Sequence, residues 1–266
     1  MILQVTSLLL ALAATPTTAP SARVELVEKF GLNPVTVTLR DGAVTILGAP
    51  VEGAAGLYRA PLSAGDPIWG LLARLPKQPK GPAVVPDAPT VHLVLESAAG
   101  KRELTAHRAA TDPALVAALA RLDQLMAAAS AKPVAAVSLA LIKQDAAPPL
   151  IRVTALGTAG AEASFDAGTL QVELLTVSPE NLGGSWYPHP VHWDPGGTPK
   201  AAPVRLRVGE HRDLSLAGKF EPGRAHLMRA VLRGPVVLRA AGQPETTLVT
   251  GASSPIIPVG PGKRGP

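Results

Sequence analysis

The sequence contains no cysteine and very few aromatic residues. Its 266 residues include only 3 tryptophans, 3 phenylalanines and 2 tyrosines. The absence of cysteine excludes disulfide bonds, thiolate metal sites and cysteine nucleophiles. The scarcity of rings argues against single-stranded nucleic-acid binding, which uses exposed aromatic side chains to stack on bases. The formal net charge is +5, but lysine and arginine are scattered along the chain, so we expect no nucleic-acid partner.

The sequence also lacks the spaced motifs of the common enzyme classes. It has no HExxH metal motif, no phosphate-binding glycine loop and no dinucleotide fingerprint. Ser253 and Ser254 stand before Pro255 without the flanking glycines of a nucleophile elbow. No two carboxylates have a spacing that predicts a general acid and a general base. We therefore predict a protein that is not an enzyme, with no catalytic residue and no cofactor.

What the sequence has in quantity is aliphatic residues, proline and glycine. Hydrophobic residues make up 47% of the chain, so its cores must be built from leucine, valine, isoleucine and alanine. A chain of 266 residues exceeds the usual single-domain size of roughly 100–150 residues, which favours two domains. Our predicted segments are a signal peptide (1–22), an α+β domain (23–130), a β-sandwich domain (133–254) and a disordered tail (255–266).

The amino-terminal segment has the pattern of a cleavable signal peptide. Residues 2–14 form an uncharged apolar run, ILQVTSLLLALAA, which has the length of a signal-peptide core and is too short to span a bilayer. Small residues at 17 and 19, or at 20 and 22, offer cleavage sites, although no lysine or arginine precedes the run. We predict a periplasmic or secreted protein without an integral membrane segment after cleavage; the alternative is a buried first helix.

The first predicted domain alternates strand and helix signals. Residues 23–28 (RVELVE) and 35–39 (VTVTL) alternate polar and apolar positions, and Asp41-Gly42 predicts a tight hairpin turn before a strand at residues 43–47. Residues 90–96 and 101–107 predict a second hairpin. Asp-Pro pairs at 66–67 and 112–113 predict the starts of two helices. The simplest arrangement that buries these patterns together is an antiparallel sheet with two helices on one face.

The second predicted domain contains a series of short strands separated by glycine, proline, asparagine or aspartate. This spacing is typical of a β-sandwich. The predicted strands are residues 137–142, 150–156, 161–165, 170–177, 204–208, 212–216 and 225–232.

Both predicted domains resemble known bacterial families. The segments RVELVEKFG, TVHLVLESAAGKRELTA and DPALVAALARLDQLM resemble, in this order over residues 23–128, the emfourin family of small protease inhibitors. The strand, VGE turn, strand, EPG turn and long strand within residues 204–232 are similar to the second half of bacterial immunoglobulin-like accessory domains. These resemblances imply an immunoglobulin-like sandwich and a protein partner, with a secreted peptidase as the specific case.

One segment stands out against the aromatic-poor background. Residues 186–194 (WYPHPVHWD) hold two of the three tryptophans and two of the six histidines. We interpret this segment as a proline-stiffened contact loop, because tryptophan and tyrosine are enriched at binding hot spots. The predicted binding residues are Trp186, Tyr187, His189, His192, Trp193 and Asp194.

This segment has two alternative interpretations. The tryptophans could simply close the end of the sandwich. His189, His192 and Asp194 could instead hold a metal ion, although an extended chain directs the two histidines to opposite faces. We predict no metal site.

These observations together predict an exported, non-enzymatic binding protein of the bacterial cell envelope, with a protease inhibitor or peptidase accessory as its specific form. A structural or assembly component of the envelope is the alternative. A metal-dependent hydrolase centred on residues 189–194 is a further one.

Overall fold

The computed structural model describes most of the chain between residues 21 and 258. The described residues are 21–27, 35–40, 42–78, 89–97, 100–142, 150–178, 181–189, 203–215, 227–249 and 252–258; within 174–178 and 181–189, and at residues 27, 51, 97 and 215, the backbone alone is described. The predicted signal peptide therefore lies outside the described residues up to residue 20, as does the predicted tail beyond residue 258.

The first part of the chain forms six strands, which belong to one sheet, and two helices, which pack against that sheet. The elements are β1 (Ser21–Val27), β2 (Val35–Arg40), β3 (Gly42–Val51), β4 (Ala54–Leu62), α1 (Pro67–Ala73), β5 (Thr90–Ser97), β6 (Gly100–His107) and α2 (Pro113–Ser130). The sequence predicted each of these except β4, whose segment AAGLYRAPL carries glycine and proline and alternates poorly. Gly42 has φ of 86°, as the predicted hairpin turn requires.

The second part of the described chain is made of short strands. They are β7 (Pro133–Ile142), β8 (Leu150–Gly157), β9 (Glu162–Asp166), β10 (Leu170–Ser178), β11 (Asn181–His189), β12 (Pro203–Arg207), β13 (His211–Ser215), β14 (Leu227–Leu232), β15 (Val236–Arg239), β16 (Thr246–Leu248) and β17 (Ile257–Pro258). Sequence reasoning missed β11 and β15–β17. Strand β17 falls within the predicted tail, where its two residues pair with β14.

The strands form three antiparallel sheets. The largest has nine strands in the order β13-β8-β7-β4-β3-β2-β1-β5-β6. Two four-stranded sheets follow, with the orders β11-β10-β14-β17 and β12-β9-β15-β16. The mostly-β fold with antiparallel sheets is thus as predicted, and both helices belong to the first part of the chain.

Buried side chains form two clusters on opposite faces of the nine-stranded sheet. One contains buried residues of α1, α2, β1–β3, β5 and β6 with Tyr58 and Leu62 of β4, and the other contains buried residues of β7–β10 and β12–β16 with Ala55 of β4. Strand β7 shows the division, because Ala135 and Val137 belong to the second cluster whereas Ala136, between them, belongs to the first. The helices therefore cover one face of the sheet at one end, and the two smaller sheets cover the other face at the other end.

The nine-stranded sheet continues across the predicted domain boundary. Strand β4 pairs with β7, with Gly56 opposite Ala136, and this pairing joins the two parts of the sheet. The two core clusters divide close to residues 130–133, but the sheet does not. The division into two domains and the immunoglobulin-like sandwich stay predictions.

Side chains tie the helices to each other and to the sheet. The Asp66 carboxylate caps α1 by accepting from the Ile68 amide at 2.9 Å, and it also accepts from the Arg121 guanidinium of α2 at 2.6 and 3.1 Å. At the other end of α1, Arg102 of β6 donates to the carbonyls of Leu72 and Leu75 at 3.1 and 2.8 Å. These contacts satisfy groups that helix ends leave unpaired. No helix among the described residues has both the length and the apolar character needed to cross a membrane.

We expect Asp66→Asn to lower the free energy of unfolding by about 2 kcal/mol at neutral pH, because hydrogen bonds to charged groups contribute about 1.5–3 kcal/mol and the Asp66 side chain is only 8% exposed. The hydrogen bond from Arg121 lowers the pKa of Asp66. A lowered pKa adds stability that is fully present above the unfolded-state value of about 3.9. This stability is lost as the pH falls from there through the folded-state pKa.

Urea unfolding at several pH values checks this expectation. The difference between wild type and Asp66→Asn should be full at pH 7 and should shrink below about pH 4. Asp123→Asn, which removes the exposed pair with Arg108 at 3.3 Å, is the control and should cost less than about 1 kcal/mol. A difference that stays constant down to pH 2 would rule out the Asp66–Arg121 pair as its source.

Candidate functional site

The segment predicted to bind a partner is only partly described. Trp186, Tyr187 and His189 lie in strand β11, where their backbones pair with Leu175, Leu174 and Val172 of β10. His192, Trp193 and Asp194 lie outside the described residues. The first half of the segment is therefore a strand and not a loop, because its proline-restrained, extended backbone pairs with β10. Its role in binding stays a prediction.

Metal binding was the chemical alternative for this segment. Among the residues that the structure describes, no group of three or more histidine, aspartate or glutamate side chains is placed to hold a metal ion. The alternative built on His189, His192 and Asp194 falls largely outside those residues, so it stays untested.

The open face of the nine-stranded sheet carries a groove of about 650 Å³. Its floor crosses the six neighbouring strands β4-β3-β2-β1-β5-β6 on the face opposite α1 and α2. Three threonines, Thr36, Thr38 and Thr45, form the middle of this floor. Gln243 and Pro244, which lie in the turn between β15 and β16, form a side wall of the groove. We call this feature the threonine groove.

Strict alternation explains why the floor is polar. In β2, the residues Val35, Val37 and Leu39 are buried against the helices, and Thr36 and Thr38 between them are half-buried on the open face. Threonine suits this position because its branched side chain packs well on a pleated surface while its hydroxyl remains available for hydrogen bonding.

Two arginines mark one end of the threonine groove. Arg23 of β1 stands directly opposite Thr38 of β2, and Arg40 lies two positions further along β2, so their Cα atoms are diagonal neighbours about 7–8 Å apart. Both side chains are exposed. No described residue forms a hydrogen bond or an ion pair with either guanidinium. Two such groups at this spacing can hold one carboxylate between them.

The other charged residues at this end are Lys101, Glu103 and Glu96, which together carry one positive and two negative charges, fewer than needed to cancel the two arginines. Lys101 pairs with Glu103 at 2.7 Å, and this contact raises the pKa of Lys101 and lowers the pKa of Glu103. Glu96 is within 3.5 Å of the Ser21 hydroxyl. Arg23 and Arg40 therefore leave the groove with a net positive charge.

The opposite end of the threonine groove is apolar. Leu47 of β3 stands opposite Leu57 of β4, and Pro244 of the β15–β16 turn lines the same groove. The two leucines are only partly buried, on the core side that the smaller sheets cover. An elongated ligand would meet cations at one end of the groove, hydroxyl groups in the middle and methyl groups at the other end.

Sequence reasoning did not identify these residues as a site. The alternation that it used shows that Arg23, Thr36, Thr38 and Arg40 share the polar faces of their strands, but it does not show which strands are neighbours. Strand β4 and the wall at Pro244 were not predicted at all. The resemblances to protease inhibitors and immunoglobulin-like domains stay predictions. No protein-family model matches this chain, and neither does any curated protein or any solved structure.

Proposed function

We propose that this chain is a non-enzymatic, protein-binding component of the bacterial cell envelope, and that the threonine groove is the surface that holds its partner. The observation that supports this proposal is the grouping of unpaired guanidinium, hydroxyl and methyl groups in one concave feature on rigid strands. Ligand sites are usually concave and combine apolar walls with a few polar groups that fix orientation. The envelope location rests on the amino-terminal sequence pattern alone.

The grooved sheet favours an extended protein segment as the partner. The floor crosses six strands and is half-buried along its middle, which suits a chain that lies flat. Strands position side chains more rigidly than loops do, so little order is lost on binding. The more specific predictions of a protease inhibitor or peptidase accessory, and the alternative of a structural envelope component, stay open under this proposal.

Blocking the middle of the groove should weaken partner binding. Thr38 is half-buried at the centre of the floor, so Thr38→Tyr fills the groove with a ring that strands tolerate well. We expect this variant to reduce the enrichment of peptides from a displayed random library by at least about tenfold, a loss of about 1.4 kcal/mol in binding free energy.

Thr105→Tyr is the matched control, because Thr105 is an exposed threonine of β6 outside the groove. Circular dichroism and urea unfolding establish that both variants are folded. If wild type, Thr38→Tyr and Thr105→Tyr enrich the same peptides equally, the groove is not the binding surface. If wild type enriches no peptide, the protein-binding proposal itself is wrong.

A further inference from the structure

We infer that the threonine groove takes an acidic peptide in extended conformation, with a carboxylate side chain at the Arg23–Arg40 end and an apolar side chain four residues away at the Leu47–Leu57 end. This inference rests on the proposed function and names the class of its partner. It rests on the positive charge of Arg23 and Arg40, on the distance between the two ends of the groove and on the chemical difference between those ends.

Arg23 and Arg40 provide the positive charge that a carboxylate would contact. Both are exposed, both line the groove, and no described residue forms a hydrogen bond or an ion pair with either guanidinium. Guanidinium groups are rigid, planar donors that match carboxylate geometry. The Thr38 hydroxyl lies across from Arg23 and two positions before Arg40, so it can add a hydrogen bond to the same carboxylate. The acidic neighbour Glu96, at the edge of the groove, disfavours a second carboxylate at that end.

The strand register sets the distance between the two ends of the groove. Leu47 lies opposite Thr36 on β2, and Leu57 lies opposite Leu47 on β4. From Arg23, Leu47 is two strand spacings across and two residues along, about 12 Å, and Leu57 is one strand further, about 16 Å. Four residues of an extended chain cover about 13–14 Å and return the side chain to the same face. An acidic residue and an apolar residue four positions apart therefore match the two ends.

The two ends of the groove differ in burial. Leu47 and Leu57 are partly buried against the core that the smaller sheets cover, whereas Arg23 and Arg40 are exposed. A side chain at the apolar end therefore meets partly buried leucine side chains, which favours leucine-sized groups over polar ones. Neutral polar residues between the two anchors would lie over Thr38 and Thr45, which are cross-strand partners in the middle of the floor.

Isothermal titration calorimetry with the full chain tests this inference. The probes are peptides with blocked ends and no charged residue other than one glutamate, which carry that glutamate and a leucine four positions apart, in both orders. We expect one order to bind, and we expect replacement of its glutamate by glutamine to weaken binding at least about tenfold. The affinity should fall as salt is raised, because the contact between exposed charges is screened. Moving the leucine next to the glutamate should also weaken binding.

Protein variants assign the effect to the groove. Arg23→Gln with Arg40→Gln should weaken binding of the glutamate peptide at least about tenfold and should bind the glutamine peptide as wild type does. Arg205→Gln is the matched control, because Arg205 is an exposed arginine of β12 and is not among the residues that line the groove. This variant should bind as wild type does.

The possible failures separate the two proposals. Equal affinity for the glutamate and glutamine peptides, or an equal loss in Arg205→Gln, overturns the acidic-ligand inference. If neither probe binds while wild type still enriches library peptides that Thr38→Tyr does not, the acidic inference is wrong and the proposed function stands. If wild type enriches no peptide at all, both are wrong.

Discussion

Glu173→Gln is expected to lower the free energy of unfolding by about 3 kcal/mol. Glu173 of β10 is 1% exposed and accepts hydrogen bonds from Arg229 of β14, its cross-strand partner, at 2.6 and 2.7 Å. It also pairs with Arg233. Removing one partner of a buried ion pair typically costs 3–5 kcal/mol, because the remaining charge is left without compensation. We expect the lower end of this range, since the Arg233 side chain is 37% exposed and water reaches it.

The backbone holds Arg233 where its side chain, like that of Arg229, can reach Glu173. Its backbone amide donates to the Thr169 carbonyl at 2.9 Å, just before β10 begins, so the chain at the end of β14 is held beside the start of β10. The two arginines thus approach one carboxylate from positions that the backbone already sets. Little side-chain order is lost in forming these contacts, which is the condition under which an ion pair contributes most.

Urea unfolding of wild type and Glu173→Gln measures this effect. Glu245→Gln is the control, because Glu245 pairs with Arg239 at a similar 2.7 Å but both side chains are about half exposed. That control should cost less than about 1 kcal/mol. The double variant Glu173→Gln with Arg229→Gln should lose less than the sum of the single losses, since each single variant already removes the contact between these two side chains. Equal losses in Glu173→Gln and Glu245→Gln would contradict the buried-pair interpretation.

Gly56→Ala is expected to destabilise the protein by about 3 kcal/mol, the upper end of the usual cost of overpacking. Gly56 is buried in β4 opposite Ala136 of β7. A Cβ atom at this position would overlap the Ala136 methyl group, and it would lie 2.5 Å from the Ala135 carbonyl oxygen and 2.7 Å from the Ala136 Cα. Two of these three atoms belong to the backbone, so the strands themselves would have to separate.

The location of Gly56 places this cost at the upper end of the usual range. The β4–β7 pairing joins the helix-covered part of the nine-stranded sheet to the part that the smaller sheets cover. Only glycine allows the two strands to come this close at the position of Ala136. Separation of the strands there would weaken the hydrogen bonds that hold the two parts of the sheet together.

The matched substitution is Gly70→Ala in α1. Gly70 is exposed, and a Cβ there would meet only the Arg74 guanidinium at an ordinary 3.5 Å. Alanine at this helical position should raise the free energy of unfolding by about 0.5–1 kcal/mol. Urea unfolding followed by circular dichroism compares the two variants. A Gly56→Ala protein as stable as wild type would show that the strands can spread at this point without cost.

The sequence predicted the elements whose signals are local. Asp66 and Asp112 were recognised as helix caps, because an aspartate followed by proline acts within one turn of the helix. The alternation of residues 35–39 predicted β2 and the face that its valines bury. Strand β4 escaped prediction because its burial follows from packing against both cores, which its own composition does not show.

The candidate site shows the same difference between local sequence signals and features that depend on strand pairing. The sequence singled out residues 186–194 because their composition is unusual, and that signal needs no partner strand. The threonine groove has no unusual composition, since arginine, threonine and leucine are common on sheets. The groove can be recognised only once Arg23, Thr38 and Thr45 are seen to lie side by side on three neighbouring strands.

By itself, the sequence determined the spacing of apolar residues in each segment, and that spacing predicts the face that each strand buries. It also determined the point where each helix begins. Only the tertiary structure decided that β4 pairs with β7, that one sheet runs across the predicted boundary, and that Arg23 and Arg40 share a groove with Leu47 and Leu57. The physical reason is that side-chain alternation is a local property of the backbone. Strand pairing instead depends on the burial of residues far apart in the chain, and a pattern of period two fits many partner strands equally well.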